Sequence, residues 1–353
     1  LDFLFDYGLF LAKIATVVIA IVSILVLAKG LSGRHGTQKG ELEVTDLTEQ
    51  YKNTVHQLES HLFDKPLLKA REKAEKKAEK EKNKERQSEI KKAAKAGDLS
   101  HVREPRLFVL DFHGSIDARE VSALREEVTA VLAVAMEGDE VLLRLETGGG
   151  MVHGYGLASS QLDRLKSAGI KLTISVDKVA ASGGYMMACV ADKIISAPFA
   201  VVGSIGVIAQ LPNFNKLLKK NDIEFEQITA GEFKRTLTMF GENTDKAREK
   251  FQVEIEETHD LFKNFIEDHR PELDLEKVAT GEHWFGKQAH ELGLVDEIGT
   301  SDDFITHACK DREVLGVRYV QRKKLAEKLA GATGEAADNL LLKWISRGQR
   351  PIV

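Results

Sequence analysis

The chain has 353 residues, 43% of them apolar, and carries 50 Lys/Arg against 55 Asp/Glu, a formal charge of −5. That supports one large domain or two modest ones with appendages, and the mild acidity argues against a nucleic-acid binder. The two cysteines, Cys189 and Cys309, stand far apart in the chain and suggest neither a disulfide framework nor a metal-ligand cluster, so no metal or cofactor is expected.

Residues 9–28, LFLAKIATVVIAIVSILVLA, form an apolar run broken only by Lys13. At about 1.5 Å per residue this spans about 30 Å, the hydrocarbon thickness of a bilayer. Asp2 and Asp6 precede it and no small-residue cleavage site follows. Residues 1–30 therefore read as a retained transmembrane anchor, in contact with membrane lipid, rather than a cleaved signal peptide. Lys29, Arg34 and Lys39 follow the span and no Lys/Arg precedes it, which by the positive-inside rule places the bulk in the cytoplasm.

Residues 31–103 read as a charged helical stalk or linker. Over 42–63, Leu47, Tyr51, Val55, Leu58 and Leu62 share one helical face. From 65 to 95, thirteen Lys/Arg face six Glu, a run with almost no apolar face. It suits a solvated helix or tether, or else a stretch drawn to anionic lipid.

From 104 to 320 the pattern becomes strand, turn, helix, repeated. RLFVLDF (106–112), EVLLRLE (140–146), IKLTISV (170–176), DKIISA (192–197) and IEFEQIT (223–229) read as strands. Helices are expected over 118–135, 155–167 and 244–270. The last carries a stripe of Phe251, Ile255, His259, Phe262 and Phe265/Ile266 that suits core packing. Strands joined by helices imply βαβ crossovers and a mostly parallel sheet, an α/β fold whose ligands sit beyond the strands' carboxyl ends. Residues 321–353 form an amphipathic tail.

Two turns at such ends stand out: TGGG (147–150) and ASGG, with Ser182 before Gly183 and Gly184. Ser182 is either a helix N-cap or a nucleophile given room for a substrate. TGGG is either a plain turn or a source of backbone N–H groups for an oxyanion. The donors would come from Gly149 or Gly150 together with Gly183; no phosphate-loop pattern is present.

A nucleophilic serine needs a base. His113 and His153 follow strand ends, but no pattern links either to Ser182. A lysine can serve if surroundings poor in water disfavour its ammonium form. Lys178 adjoins Asp177 at a strand end and Lys193 is expected to pair with Asp192, so neither suits a base. Lys234, among Gly231, Phe233, Leu237 and Met239, fits best by context.

Taken together, ASGGYMMACVADKI, APFAVVGSIGV and TAGEFKRTLT resemble the signal peptide peptidase A family (S49) of membrane-anchored Ser-Lys proteases, in its short branch with a single catalytic domain. The resemblance covers nearly the whole chain, including GEHWFGKQAHELGLVDEIGT (281–300). It implies a Clp/crotonase-like fold, with Ser182 as nucleophile, Lys234 as general base and Ser204 hydrogen-bonded to that lysine. Gly149 and Gly183 match the family's oxyanion donors. The family usually reads Ser-Pro-Gly-Gly where this chain has Thr147-Gly148-Gly149-Gly150, a departure that leaves the first donor open between Gly149 and Gly150.

The resemblance further implies a serine endopeptidase acting on peptide or membrane-derived protein segments. It also implies a homo-oligomeric ring in which Ser and Lys can come from neighbouring subunits. The expected location is the bacterial inner membrane with the catalytic domain on the periplasmic face, against the charge rule. Two alternatives remain: a crotonase-like acyl-CoA enzyme, and a non-catalytic membrane scaffold in which Ser182 only caps a helix.

Overall fold

The computed structural model describes residues 40–96 and 104–320, together with Lys13 and Thr16. Residues 42–319 cluster as one unit; 1–41 with 320–353 form the other, almost all of it outside the described residues. The expected anchor and the tail fall there. Among the described residues no helix is long and apolar enough to cross a membrane.

The strands are β1 (Glu41–Asp46), β2 (Arg106–His113), β3 (Glu140–Glu146), β4 (Lys171–Val176), β5 (Val179–Ala181), β6 (Lys193–Ser196), β7 (Val201–Gly203), β8 (His283–Phe285), β9 (Glu297–Ile298) and β10 (Glu313–Val320). The helices are α1 (Leu47–Leu62), α2 (Lys65–Ala96), α3 (Val121–Val134), α4 (Val152–Ser167), α5 (Gly183–Ala188), α6 (Asn215–Lys220), α7 (Asp245–His269), α8 (Leu275–Val278), α9 (Gly286–Glu291) and α10 (Ser301–Asp311).

Seven strands form the main sheet in the order β1-β10-β2-β3-β4-β6-β9, and the pairs from β10 through β9 are parallel. Such a sheet must bury both faces, and the alternation along its strands does so. Phe108, Leu110, Phe112, Leu143 and Ile174 pack with Leu124 and Val128 of α3 and Leu162 of α4. Leu107, Val109, Leu142 and Val314 form the opposite face, against Phe304 and Ile305 of α10 and Leu47 and Tyr51 of α1. A second, three-stranded sheet, β5-β7-β8, joins the first through a bridge between Thr147 and Ala180.

Three expectations need correcting. Residues 42–46, expected within the helical stretch 42–63, are strand, and the segment 42–62 is built into the domain rather than a stalk. Thr48 Oγ1 accepts from the Val314 N–H at 2.8 Å, and Leu47 packs at 3.6 Å from where a Cβ on Gly316 would lie. The expected strand at 223–229 is irregular and exposed. Lys193 pairs with Glu297 rather than Asp192, which faces Lys166 at 3.4 Å. The helix at 65–96 is present, and Arg71 ties it to Glu59 of α1 at 2.6 Å.

The α3 helix buries one acid, Glu127, to 3% exposure. The β10–β2 ladder ends at Gly316–Val109, and beyond it the Tyr319 N–H donates to Glu127 Oε1 at 2.7 Å. Burial pushes the carboxyl up to about 7 from 4.5. A value raised in the fold favours folding fully below the unfolded value, and that contribution is lost as pH rises through 7. Denaturation midpoints at pH 5 and pH 8 should therefore diverge: Glu127→Gln should lose the decline that the parent shows, by up to about 3 kcal/mol. A parent that gains stability over the variant across this window would mean that the fold holds an ionised carboxylate.

Candidate active site

After β4 the chain is pinned before it turns. Asp177 accepts from the Ser301 N–H at 2.9 Å, and Lys178 donates to Glu146 at 3.0 Å. β5 then delivers Ser182 at φ 52° and ψ −116°, a conformation costly for any residue with a Cβ. Its N–H donates to Gly203 O at 2.8 Å and its carbonyl accepts from Met186 N at 3.0 Å, so the strain is held from both sides. Ser182 precedes α5, but its side chain makes no capping hydrogen bond. The helix-cap reading loses its physical basis.

The glycines after it are bare for a packing reason. A Cβ on Gly183 would lie 2.4 Å from the Tyr155 ring, and one on Gly184 would lie 2.8 Å from Thr147 Cγ2. Tyr155 is fully buried and donates to Ser115 O at 2.8 Å; its hydroxyl also meets Thr147 Oγ1. Burial pushes the Tyr155 phenol above its ordinary value, so it stays a neutral donor. Thr147 and Tyr155 together form the polar post on which both glycine turns rest, and the sequence reading passed over it.

In the TGGG turn, Gly149 has φ 83°. Its N–H donates to Thr147 Oγ1 at 3.1 Å and is thereby committed. Among the described residues the Gly150 N–H has no such partner. Gly183 heads α5, a position whose N–H has no acceptor within the helix. A Cβ on Gly149 would sit 2.6 Å from Ala181 O and 2.7 Å from Gly183 N. Gly149→Ala is therefore expected to cost about 2–3 kcal/mol in a urea titration. Gly148→Ala, with nothing within 4 Å of its added Cβ, is the neutral control for that stability measurement.

Gly149, Gly150, Ser182, Gly183 and Ser204 all line one cleft of about 600 Å³, walled by Met186 of α5 and Phe262 of α7. Ser204 follows β7 at φ 52°, with its N–H on Glu282 O at 2.6 Å. Cys189 is not a rival nucleophile: burial pushes its thiol up to about 12. His113 faces Glu146 at 3.5 Å and, like His153, is not in the cleft lining.

Lys234 is not in this lining either. It is exposed, within the long excursion between β7 and α7 whose one helix is α6. The excursion carries Ile208 at 78% and Ile228 at 95% exposure, with Leu217, Ile223 and Phe233 also exposed. A single chain thus brings the serine, the glycines and Ser204 together but leaves Lys234 apart. Conversely, His259, read from its stripe as core packing, lines the cleft.

Two family models match the chain: "Peptidase family S49 N-terminal" over residues 2–162 and "Peptidase family S49" over 164–315. A curated relative in Haemophilus influenzae, "Probable protease SohB", is 52% identical over 99% of this chain and 98% of its own. Its namesake in Buchnera aphidicola subsp. Acyrthosiphon pisum is 52% identical over 97% of this chain and 98% of its own. Among solved structures, a membrane-bound stomatin-specific protease in complex with a substrate peptide aligns at 14% identity and TM-score 0.37, over 66% of this chain and 99% of its own.

Proposed function

The chain belongs to peptidase family S49 and is a serine-type peptidase, and from that premise we propose that it is a membrane-anchored endopeptidase working through a Ser182–Lys234 dyad. Ser182 attacks the scissile carbonyl while neutral Lys234 takes its proton and returns it to the leaving amine. The N–H groups of Gly150 and Gly183 hold the oxyanion, and water then hydrolyses the acyl-enzyme. Ser204 orients the lysine. Gly149 serves the hole by its shape rather than as a donor, since Thr147 already occupies its N–H.

The observation that carries this reading is Ser182 itself: strained, uncapped, and set in the cleft beside two glycine turns. The exposure of Lys234 and its absence from the cleft lining support a site completed between subunits. A neighbouring copy brings Lys234 to Ser182, and the exposed apolar residues of the excursion bury themselves against that copy in a homo-oligomeric ring. Residues 9–28 anchor the chain in the inner membrane with the catalytic domain on the periplasmic face. Substrates are peptides or membrane-derived protein segments.

A fluorophosphonate forms a covalent bond only with an activated serine, so the test is labelling of the full chain followed by peptide mass mapping. The expected adduct is on Ser182. An unlabelled Ser182 in a preparation that hydrolyses peptide would sink the assignment and place the nucleophile at another residue.

A further inference from the structure

Among the described residues the lining of the Ser182 cleft contains one titratable side chain, His259, and it belongs to none of the motifs above. It stands on α7 beside Thr258 and one turn before Phe262, both of which also line the cleft. Of the other polar side chains of the lining, the two threonines are already committed. Thr258 Oγ1 donates to Glu254 O at 2.7 Å, and Thr280 Oγ1 donates to Glu282 at 2.9 Å.

His259 differs from two of the other helical histidines. His269 and His307 place Nδ1 against the carbonyl four residues earlier, at 2.8 and 2.9 Å; among the described residues His259 makes no such bond. Among the described residues its Nε2 is buried and without a hydrogen-bond partner, while the side chain as a whole is half-buried at the cleft. A histidine kept for packing alone ordinarily satisfies its ring, because an orphaned buried nitrogen destabilises the fold and an apolar residue of the same shape would not. Ser182 and Ser204 aside, the remaining non-glycine side chains of the lining, Val152, Met186, Val207, Ile208 and Phe262, are apolar and offer a peptide backbone nothing to bond.

We propose that His259 is a substrate-contacting residue of this peptidase, its imidazole hydrogen-bonding the backbone of the peptide along the α7 wall of the cleft and setting that peptide's register against Ser182. The assignment rests on the reading of this cleft as the active site.

The test is steady-state hydrolysis of a fluorogenic peptide by the full chain in detergent, with melting temperatures measured alongside. His259→Phe keeps the ring and removes both nitrogens; His259→Gln returns a donor and an acceptor. For the Phe variant we expect KM to rise about tenfold with kcat within about twofold, and the Gln variant to recover KM to within about threefold. The melting temperature of the Phe variant should equal or exceed the parent's, since the orphaned nitrogen is gone. An unchanged KM in the Phe variant, a fall in kcat in both variants, or a lowered melting temperature without recovery by Gln would each overturn the assignment. Peptide hydrolysis that survives Ser182→Ala is a separate failure: it removes the site itself, whatever the His259 variants do.

Discussion

Ser182→Ala is expected to lower kcat for peptide hydrolysis by about 10⁴-fold or more with little change in KM, and Ser182→Gly to be as inactive yet more stable than the parent by about 1 kcal/mol. The two variants separate chemistry from conformation. Both lose the nucleophilic oxygen, but only glycine relieves the positive φ at Ser182, where φ is 52° and ψ −116°. That relief is worth about 1–3 kcal/mol, against which glycine loses roughly 0.5–1 kcal/mol through the greater freedom of the unfolded chain. Alanine keeps its Cβ and hence the strain, so its denaturation midpoint should match the parent's. A cap role demands the reverse: Ala would lose about 1 kcal/mol and keep its activity. Hydrolysis rates and urea midpoints on the same three proteins decide between them. A cleft residue held in a strained conformation at a cost in stability is the pattern of a functional site rather than of a structural one.

Lys234→Ala is expected to be as inactive as Ser182→Ala, and Lys234→Arg to fail with it, because a guanidinium stays protonated and cannot act as a base. Lys178→Ala, which removes only a pair with Glu146, should retain full activity. The informative experiment joins the two inactive proteins. If each site takes its serine from one copy and its lysine from the next, Ser182→Ala and Lys234→Ala chains produced together should recover about a quarter of the parent's activity, since random assembly leaves about one interface in four with both groups. The placement of Lys234 outside the cleft lining motivates this mixing. No recovery from co-assembled chains would mean that the excursion rearranges within its own chain and that the dyad is not shared.

Much of this could be read from the sequence because it is local. Buried parallel strands are continuous apolar runs, so 106–112, 140–146 and 170–176 were recognisable, and the serine and glycine turns stood at their ends. IEFEQIT misled for the same reason. Ile223 and Phe225 alternate as in a strand, but no neighbouring strand pairs with them and both are exposed. Residues 41–46 are strand because β10 lies beside them, and β7 and β8 are three residues each, too short for any periodicity to show. Of the stripe on α7, Phe262 and Ile266 are buried, while Phe251, Ile255, His259 and Phe265 are half-buried. Its pattern did not reveal that the same face, at His259, borders the cleft.

The sequence by itself determined the α/β class, the family, and the turn on which Ser182 stands, since each is written in runs of neighbouring residues whose propensities act over a few positions. Only the tertiary structure decided the rest: that Ser182 caps nothing, that Thr147 occupies the Gly149 N–H, that His259 joins the cleft and that Lys234 lies apart from it. Those outcomes depend on contacts between segments tens of residues apart, chosen by how the sheet and its helices exclude water together, and no short stretch of sequence carries that choice.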